Sequence, residues 1–146
     1  AYYPFNENAN DESGNGLNGT VTGAALTEDR VGAANKAYDV NGADQHISVP
    51  ENPLFEGNAH TLALWVRLDS RGSVFLSKDG YGSERQWMIG NNAADGHVTS
   101  HVWTTQGMTK IPSAGTIAAG NIKSDLKRVR SRNVNFGQGP GKWRKL

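Results

Sequence analysis

Two stretches of this chain decide its fold class. Residues 62–68 run Leu-Ala-Leu-Trp-Val-Arg-Leu, and residues 97–103 run His-Val-Thr-Ser-His-Val-Trp. In both stretches the character of the side chain alternates with a period of two, which is typical of a β-strand because successive side chains point to opposite faces. We therefore predict the clearest strand at Leu62–Leu68 and a second, strictly alternating strand at His97–Trp103.

Shorter strand signals and turn signals surround these two stretches. Turns are predicted at Asn41-Gly42, where the dipeptide is typical of a hairpin, at Asp79–Gly82 and at Asn91–Gly96. Turn signals recurring every 8–12 residues or so, with little helical periodicity, favour an all-β sandwich or barrel. The further predicted strands are Thr20–Ala25, Lys36–Val40, His46–Val49, Ser73–Lys78 and Gln86–Gly90.

Composition limits the classes of protein to which this chain can belong. Its 146 residues suit one domain, and its lack of cysteine excludes disulfides, thiolate metal sites and cysteine nucleophiles. No apolar run approaches the roughly 18 residues of a membrane span. The net charge of +1 conceals an asymmetry, because residues 1–120 hold 7 Lys/Arg against 13 Asp/Glu and residues 121–146 hold 8 against one.

Several motifs in their order resemble the opening of laminin-G-like, or concanavalin A-like, jelly-roll domains. The resemblance covers about residues 1–121 and implies two curved antiparallel sheets packed face to face. It also implies a secreted or cell-surface module that binds glycans or extracellular proteins. The motifs are Tyr3-Pro4-Phe5-Asn6, Ala9–Gly16, Asn18-Gly19-Thr20-Val21, Gly32–Asn35, Ala37–Gly42, His46–Pro50 and Leu64-Trp65-Val66-Arg67.

Residues 122–146 depart from this family and form an atypical basic, glycine-rich tail. Family members continue with further strands at this point, so the jelly roll is predicted to be incomplete at its C-terminus. Native strands, a graft and a shifted reading frame stay open for the tail. Uncovered sheet edges favour pairing with another chain, so we expect a homo-oligomer or strand exchange between copies. A solvated tail is preferred over a nucleic-acid-binding one, although Arg/Lys with Phe136 and Trp143 would suit phosphate contacts and stacking.

The loop Asp11-Glu12-Ser13-Gly14-Asn15-Gly16 places oxygen-bearing side chains at alternate positions. Such ligands suit a hard cation, and the resemblance implies calcium near this loop. Asp11, Asn10 and Asn15 are therefore predicted as ligands of a structural Ca²⁺. The alternative is an Asx-type turn, in which the side chain satisfies backbone groups.

Aromatic side chains on the predicted strands divide into core residues and ligand-binding residues. Trp65 and Trp87 lie within apolar strands and are predicted to be core. Trp103 shares a strand face with His97 and His101 and ends its strand near a loop, so this face is a predicted platform for stacking sugars. A shared metal is excluded there, because four strand residues separate the two histidines by about 13 Å. Tyr81 and Arg85, near a glycine-flanked turn, are predicted as further ligand-binding residues at the rim.

The sequence carries no pattern typical of an enzyme. Glucanases of the concanavalin A-like class use an E-x-D-x-x-E strand, and no such strand occurs here. We therefore predict a non-catalytic binding module of a secreted or surface protein, with carbohydrate as its ligand. A structural or adhesive domain that binds another protein is the alternative, and a glucanase-like glycoside hydrolase is the third.

Overall fold

The computed structural model describes residues 1–55, 61–78, 86–104 and 107–116. These residues form antiparallel β-sheets without an α-helix, which confirms the all-β prediction and is consistent with a β-sandwich. One short 3₁₀ helix occupies Pro53–Phe55. The strands are β1 Thr20–Thr22, β2 Ala25–Thr27, β3 Ala37–Asp39, β4 His46–Ser48, β5 Val74–Lys78, β6 Trp87–Asn91, β7 His97–Thr104 and β8 Gly107–Thr116.

Strands β5 to β8 form one antiparallel sheet in sequence order. The predicted turn Asn91–Gly96 joins β6 to β7, with Gly96 N–H donating to the Asn92 carbonyl at 2.9 Å. The Asn92 side chain accepts from Ala94 N–H at 2.9 Å, and the Asp95 side chain accepts from His97 N–H at 3.0 Å. Short polar side chains therefore satisfy the backbone of this turn, as the Asn/Asp/Gly pattern predicts.

One face of this sheet supplies much of the core. Trp87 lies in register with Val102, and Ile89 lies in register with Ser100 on the same face. Trp87, Ile89 and Val102 are all buried. Strand alternation places these three side chains on one face and the next residues along each strand on the other. The other buried apolar residues are Ala9, Leu17, Ile47, Val49 and Leu68.

The first 50 residues form two separate two-stranded sheets, β1 with β4 and β2 with β3. Asn41-Gly42 forms a turn, with the Asn41 side chain accepting from Ala43 N–H at 3.0 Å. The hairpin prediction at this turn is wrong, because β3 pairs with β2 and β4 pairs with β1. Asn41 and Gly42 determine the local bend, whereas the strand with which β3 or β4 pairs depends on the tertiary structure.

The strand predicted at Leu62–Leu68 is also wrong, because the structure assigns no strand to these residues. Burial nevertheless alternates along the segment. Leu62, Leu64 and Val66 are half-buried, whereas Trp65 and Arg67 are exposed. The hydrophobic pattern thus sets which side faces the protein, but a strand also needs a partner to complete its hydrogen-bond ladder.

Some predictions lie outside the described residues. These are the turn at Asp79–Gly82, the binding residues Tyr81 and Arg85, and the basic tail 122–146. Within the described ranges, no helix has the length and apolar character that crossing a membrane requires.

Candidate functional site

The face of the four-stranded sheet opposite the core brings several predicted binding residues together. His101 on β7 lies in register with Met88 on β6 and with Lys110 on β8, and Trp103 lies in register with Met108. Directly paired residues of an antiparallel sheet point to the same side. We call this set, Met88, His101, Trp103, Met108 and Lys110, the aromatic face.

Exposure within the aromatic face rises towards strand β8. Met88, His101 and Trp103 are half-buried, whereas Lys110 is exposed and Met108 is 52 % exposed. The rings of His101 and Trp103 lie 5.7 Å apart between centroids and are tilted by 58°. A half-buried aromatic pair is thus positioned beside a thioether and an ammonium group that water can reach.

His97 and Thr99 continue the same side of β7 but are occupied by structural roles. The His97 ring nitrogen Nδ1 lies 3.0 Å from the Ser113 carbonyl oxygen on β8. Thr99 is buried and lies in register with Gly90. A Cβ at Gly90 would lie 2.5 Å from the Ser73 carbonyl oxygen. The backbone at Ser73, just before β5, therefore lies close to this end of the sheet. The residues of the aromatic face lie towards the other end, near Trp103.

Burial affects the protonation of His101. Its pKa is lowered from 6.5, first by burial, which disfavours the imidazolium, and second by the positive charge of Lys110 across the strand pair. Its Nε2 atom is buried and has no hydrogen-bond partner. His101 therefore resists protonation, since the charged form would gain a buried donor without an acceptor.

The Asp11 loop is organised around hydrogen bonds to the carboxylate. Asp11 Oδ1 accepts from the backbone N–H groups of Tyr2 at 2.8 Å and Ser13 at 3.0 Å, and Oδ2 accepts from Leu17 N–H at 3.2 Å. The Ser13 bond closes an Asx-type turn. The pKa of Asp11 lies well below its usual range, chiefly because the Ser13 side chain hydrogen bonds to the carboxylate, with the three backbone donors adding to this effect.

Tyr3 closes the other side of the same loop. Its hydroxyl donates to the Leu17 carbonyl oxygen at 2.6 Å. Burial raises the pKa of Tyr3 to about 12, and the negative charge of Asp11 adds to the shift. The loop is thus held by its own donors and acceptors.

Asp11, the charged residue among the predicted calcium ligands, already accepts three backbone hydrogen bonds through its carboxylate. Asn10 is exposed, and the Asn15 side chain donates to the Ser13 hydroxyl at 2.7 Å. Calcium takes six to eight oxygen ligands, and within the described part of the chain no group of three or more His, Asp or Glu side chains could hold a metal. A Ca²⁺ on Asp11, Asn10 and Asn15 stays a prediction.

The tryptophans differ from each other in burial. The core prediction for Trp87 is confirmed, because Trp87 is 6 % exposed, and the core prediction for Trp65 is wrong, because Trp65 is 63 % exposed. The aliphatic residues on either side of Trp65 face the protein and turn the indole outwards. The Arg30 guanidinium covers one ring face, with Cζ 4.3 Å from the centroid, in a cation–π contact.

Strand β8 is not predicted from the sequence, and Met108 and Lys110 are therefore not predicted at the site. Pro112 and Gly115 interrupt its sequence, and both residue types argue against a regular central strand. In the structure only two residues separate β7 from β8, which is hairpin spacing. Strand β8 is the last strand in the described order of its sheet, where proline is tolerated.

Comparison with known proteins adds no family to these observations. No protein-family model, no curated protein and no solved structure matches this chain.

Proposed function

We propose that this chain is a non-catalytic, carbohydrate-binding module of a secreted or cell-surface protein, with the aromatic face as its binding surface. The observation that carries the proposal is the position of Trp103 and His101 side by side on the sheet face opposite the core. A pyranose ring presents an apolar C–H face, and an aromatic ring partly open to solvent gives that face a flat partner.

The ammonium group of Lys110 suits saccharide hydroxyls. Lys110 is exposed and stands beside the apolar surface of Trp103 and Met108, whereas the Nε2 atom of His101 is buried. Binding sites for small ligands combine such an apolar floor with a few polar groups that fix orientation. Tyr81 and Arg85 stay predicted as rim residues outside the described part of the chain.

A binding role suits this face better than glycoside hydrolysis. Hydrolysis needs two carboxyl groups about 5–10 Å apart across the sugar. Strand register places no Asp or Glu among the described residues of the aromatic face. The resemblance to laminin-G-like jelly rolls is the further support for a binding module, and the jelly-roll form of the sandwich belongs to this proposal.

The test compares two tryptophans that differ in location. Purified protein, Trp103→Ala and Trp65→Ala are applied to a panel of immobilised glycans, and thermal unfolding confirms that each variant is folded. We expect glycan binding by the parent, at least tenfold weaker binding by Trp103→Ala, and unchanged binding by Trp65→Ala.

Two results would overturn the proposal. If no glycan binds, or if Trp65→Ala loses binding and Trp103→Ala keeps it, the aromatic face is not a carbohydrate site. Binding of an extracellular protein that Trp103→Ala abolishes, with no glycan bound, would favour the adhesive alternative instead.

A further inference from the structure

The aromatic face presents charge of one sign. Lys110 is exposed and lies directly across from His101. The register of the four strands places no carboxylate among the described residues on this side. These are Val74, Ser77, Met88, Gly90, His97, Thr99, His101, Trp103, Met108, Lys110, Pro112 and Thr116.

The positive charge of Lys110 acts on the surface where a ligand would lie. Lys110 contributes to the lowered pKa of His101, after the larger effect of burial. His101 is therefore neutral at pH 7, and Lys110 supplies the charge on the described part of this face. A cation without a neighbouring carboxylate attracts an anionic group on a ligand.

The distance between Trp103 and Lys110 suits a sugar ring that carries a carboxylate group. Trp103 pairs with Met108, and Lys110 lies two residues further along β8, so the two residues are diagonal neighbours. Diagonal neighbours on adjacent strands lie about 7–8 Å apart, and the flexible lysine stem can shorten that separation. A sugar stacked on Trp103 would thus place a carboxylate on its ring edge within reach of the ammonium group.

We infer that the ligand of the aromatic face is an acidic saccharide containing a uronic acid, with its ring on Trp103 and its carboxylate at Lys110. This inference rests on the proposed function and adds the class of sugar. If the ligand were instead a neutral sugar held by its hydroxyl groups alone, Lys110 would not be needed for binding.

The experiment measures binding of a tri-uronate and of its methyl ester, which has the same rings without the charge. Calorimetry at low salt is done with the full chain, with Lys110→Gln and with Arg67→Gln, which removes an exposed charge outside the face. The basic tail is intact in all three proteins, so its contribution is common to them. We expect the acid to bind the parent about fivefold more tightly than the ester, as for an exposed ion pair.

Lys110→Gln should bind the acid only as tightly as the ester, whereas Arg67→Gln should behave like the parent. Raising the salt concentration should reduce the preference for the acid, because salt screens exposed charges. Equal binding of acid and ester by the parent would overturn the inference. The proposed function would still stand if Trp103→Ala weakened both ligands.

A sulfated but otherwise neutral trisaccharide distinguishes the source of the anion. If it binds as tightly as the uronate and loses that affinity in Lys110→Gln, the uronic acid assignment is overturned. If neither uronate, ester nor sulfated sugar binds, the proposed function fails together with the inference.

Discussion

Residues 61–68 and strand β7 of the four-stranded sheet have the same alternating sequence pattern but different structures. Leu62–Leu68 and His97–Trp103 both alternate in sequence, but burial alternates only along the first stretch, because Thr99 and Val102 on opposite faces of the second are both buried. The second stretch forms β7 between two partners, whereas the first is not assigned as a strand. Alternation in the sequence therefore matches burial along residues 61–68, and it does not report whether a neighbouring strand is present.

The largest expected difference between the two regions concerns their tryptophans. Trp87→Ala should lower the free energy of unfolding by about 3–5 kcal/mol, because it removes a buried side chain in register with Val102. Trp65→Ala should cost about 1 kcal/mol or less, since it removes an exposed ring and one cation–π contact. Urea denaturation of both variants measures the difference. A larger loss for Trp65→Ala would mean that segment 61–68 is packed as the strand predicted from sequence.

A smaller difference is expected when one side chain in each region is enlarged. Gly90→Ala should cost about 1–3 kcal/mol, because the new Cβ would lie 2.5 Å from the Ser73 carbonyl oxygen and the backbone would have to move. Ala63→Val on the exposed side of residues 61–68 should change stability by less than about 0.5 kcal/mol. Thermal unfolding of the two variants and the parent tests this. If Gly90→Ala is as stable as the parent, the close approach of the Ser73 backbone is not as described.

The smallest expected effect is the pH dependence contributed by His101. Its pKa is lowered in the folded protein, so below about pH 6.5 the unfolded chain binds more protons than the folded one. This contribution to stability is complete above pH 6.5 and is lost as the pH falls through the lower folded value. His101→Gln should flatten the change in the free energy of unfolding between pH 7.5 and pH 5. An NMR titration of the His101 ring at or above pH 6.5 would contradict the prediction.

Local chemistry predicted some of these features well. The turn between β6 and β7 followed from Asn, Asp and Gly, because their side chains and backbone freedom act within a few residues. The side-by-side position of His101 and Trp103 followed from a period of two within one strand. Residues 10 and 11 illustrate an open choice, since an oxygen-rich loop suits a cation or an Asx-type turn, and three backbone donors occupy the Asp11 carboxylate.

Other features depend on residues that are distant in sequence. Lys110 joins the aromatic face because β8 pairs with β7 in one particular register, and a shift by one residue would place it on the opposite side. Trp65 is exposed because its aliphatic neighbours face the protein, and it is stacked with Arg30, which lies 35 positions earlier in the sequence. Neither arrangement is a property of a short window of sequence.

The sequence alone determined the all-β class, the turn at Asn91–Gly96, the burial of Trp87 and the faces to which alternating side chains belong. Each of these results from the geometry of a few consecutive residues, which the side-chain period and the turn residues constrain directly. Tertiary structure decided that Leu62–Leu68 is not a strand, that β3 and β4 have different partners, and that Met108 and Lys110 lie beside Trp103 and His101. The physical reason is that a hydrogen-bond ladder needs two chain segments, and the partner and the register are chosen by packing across the whole domain.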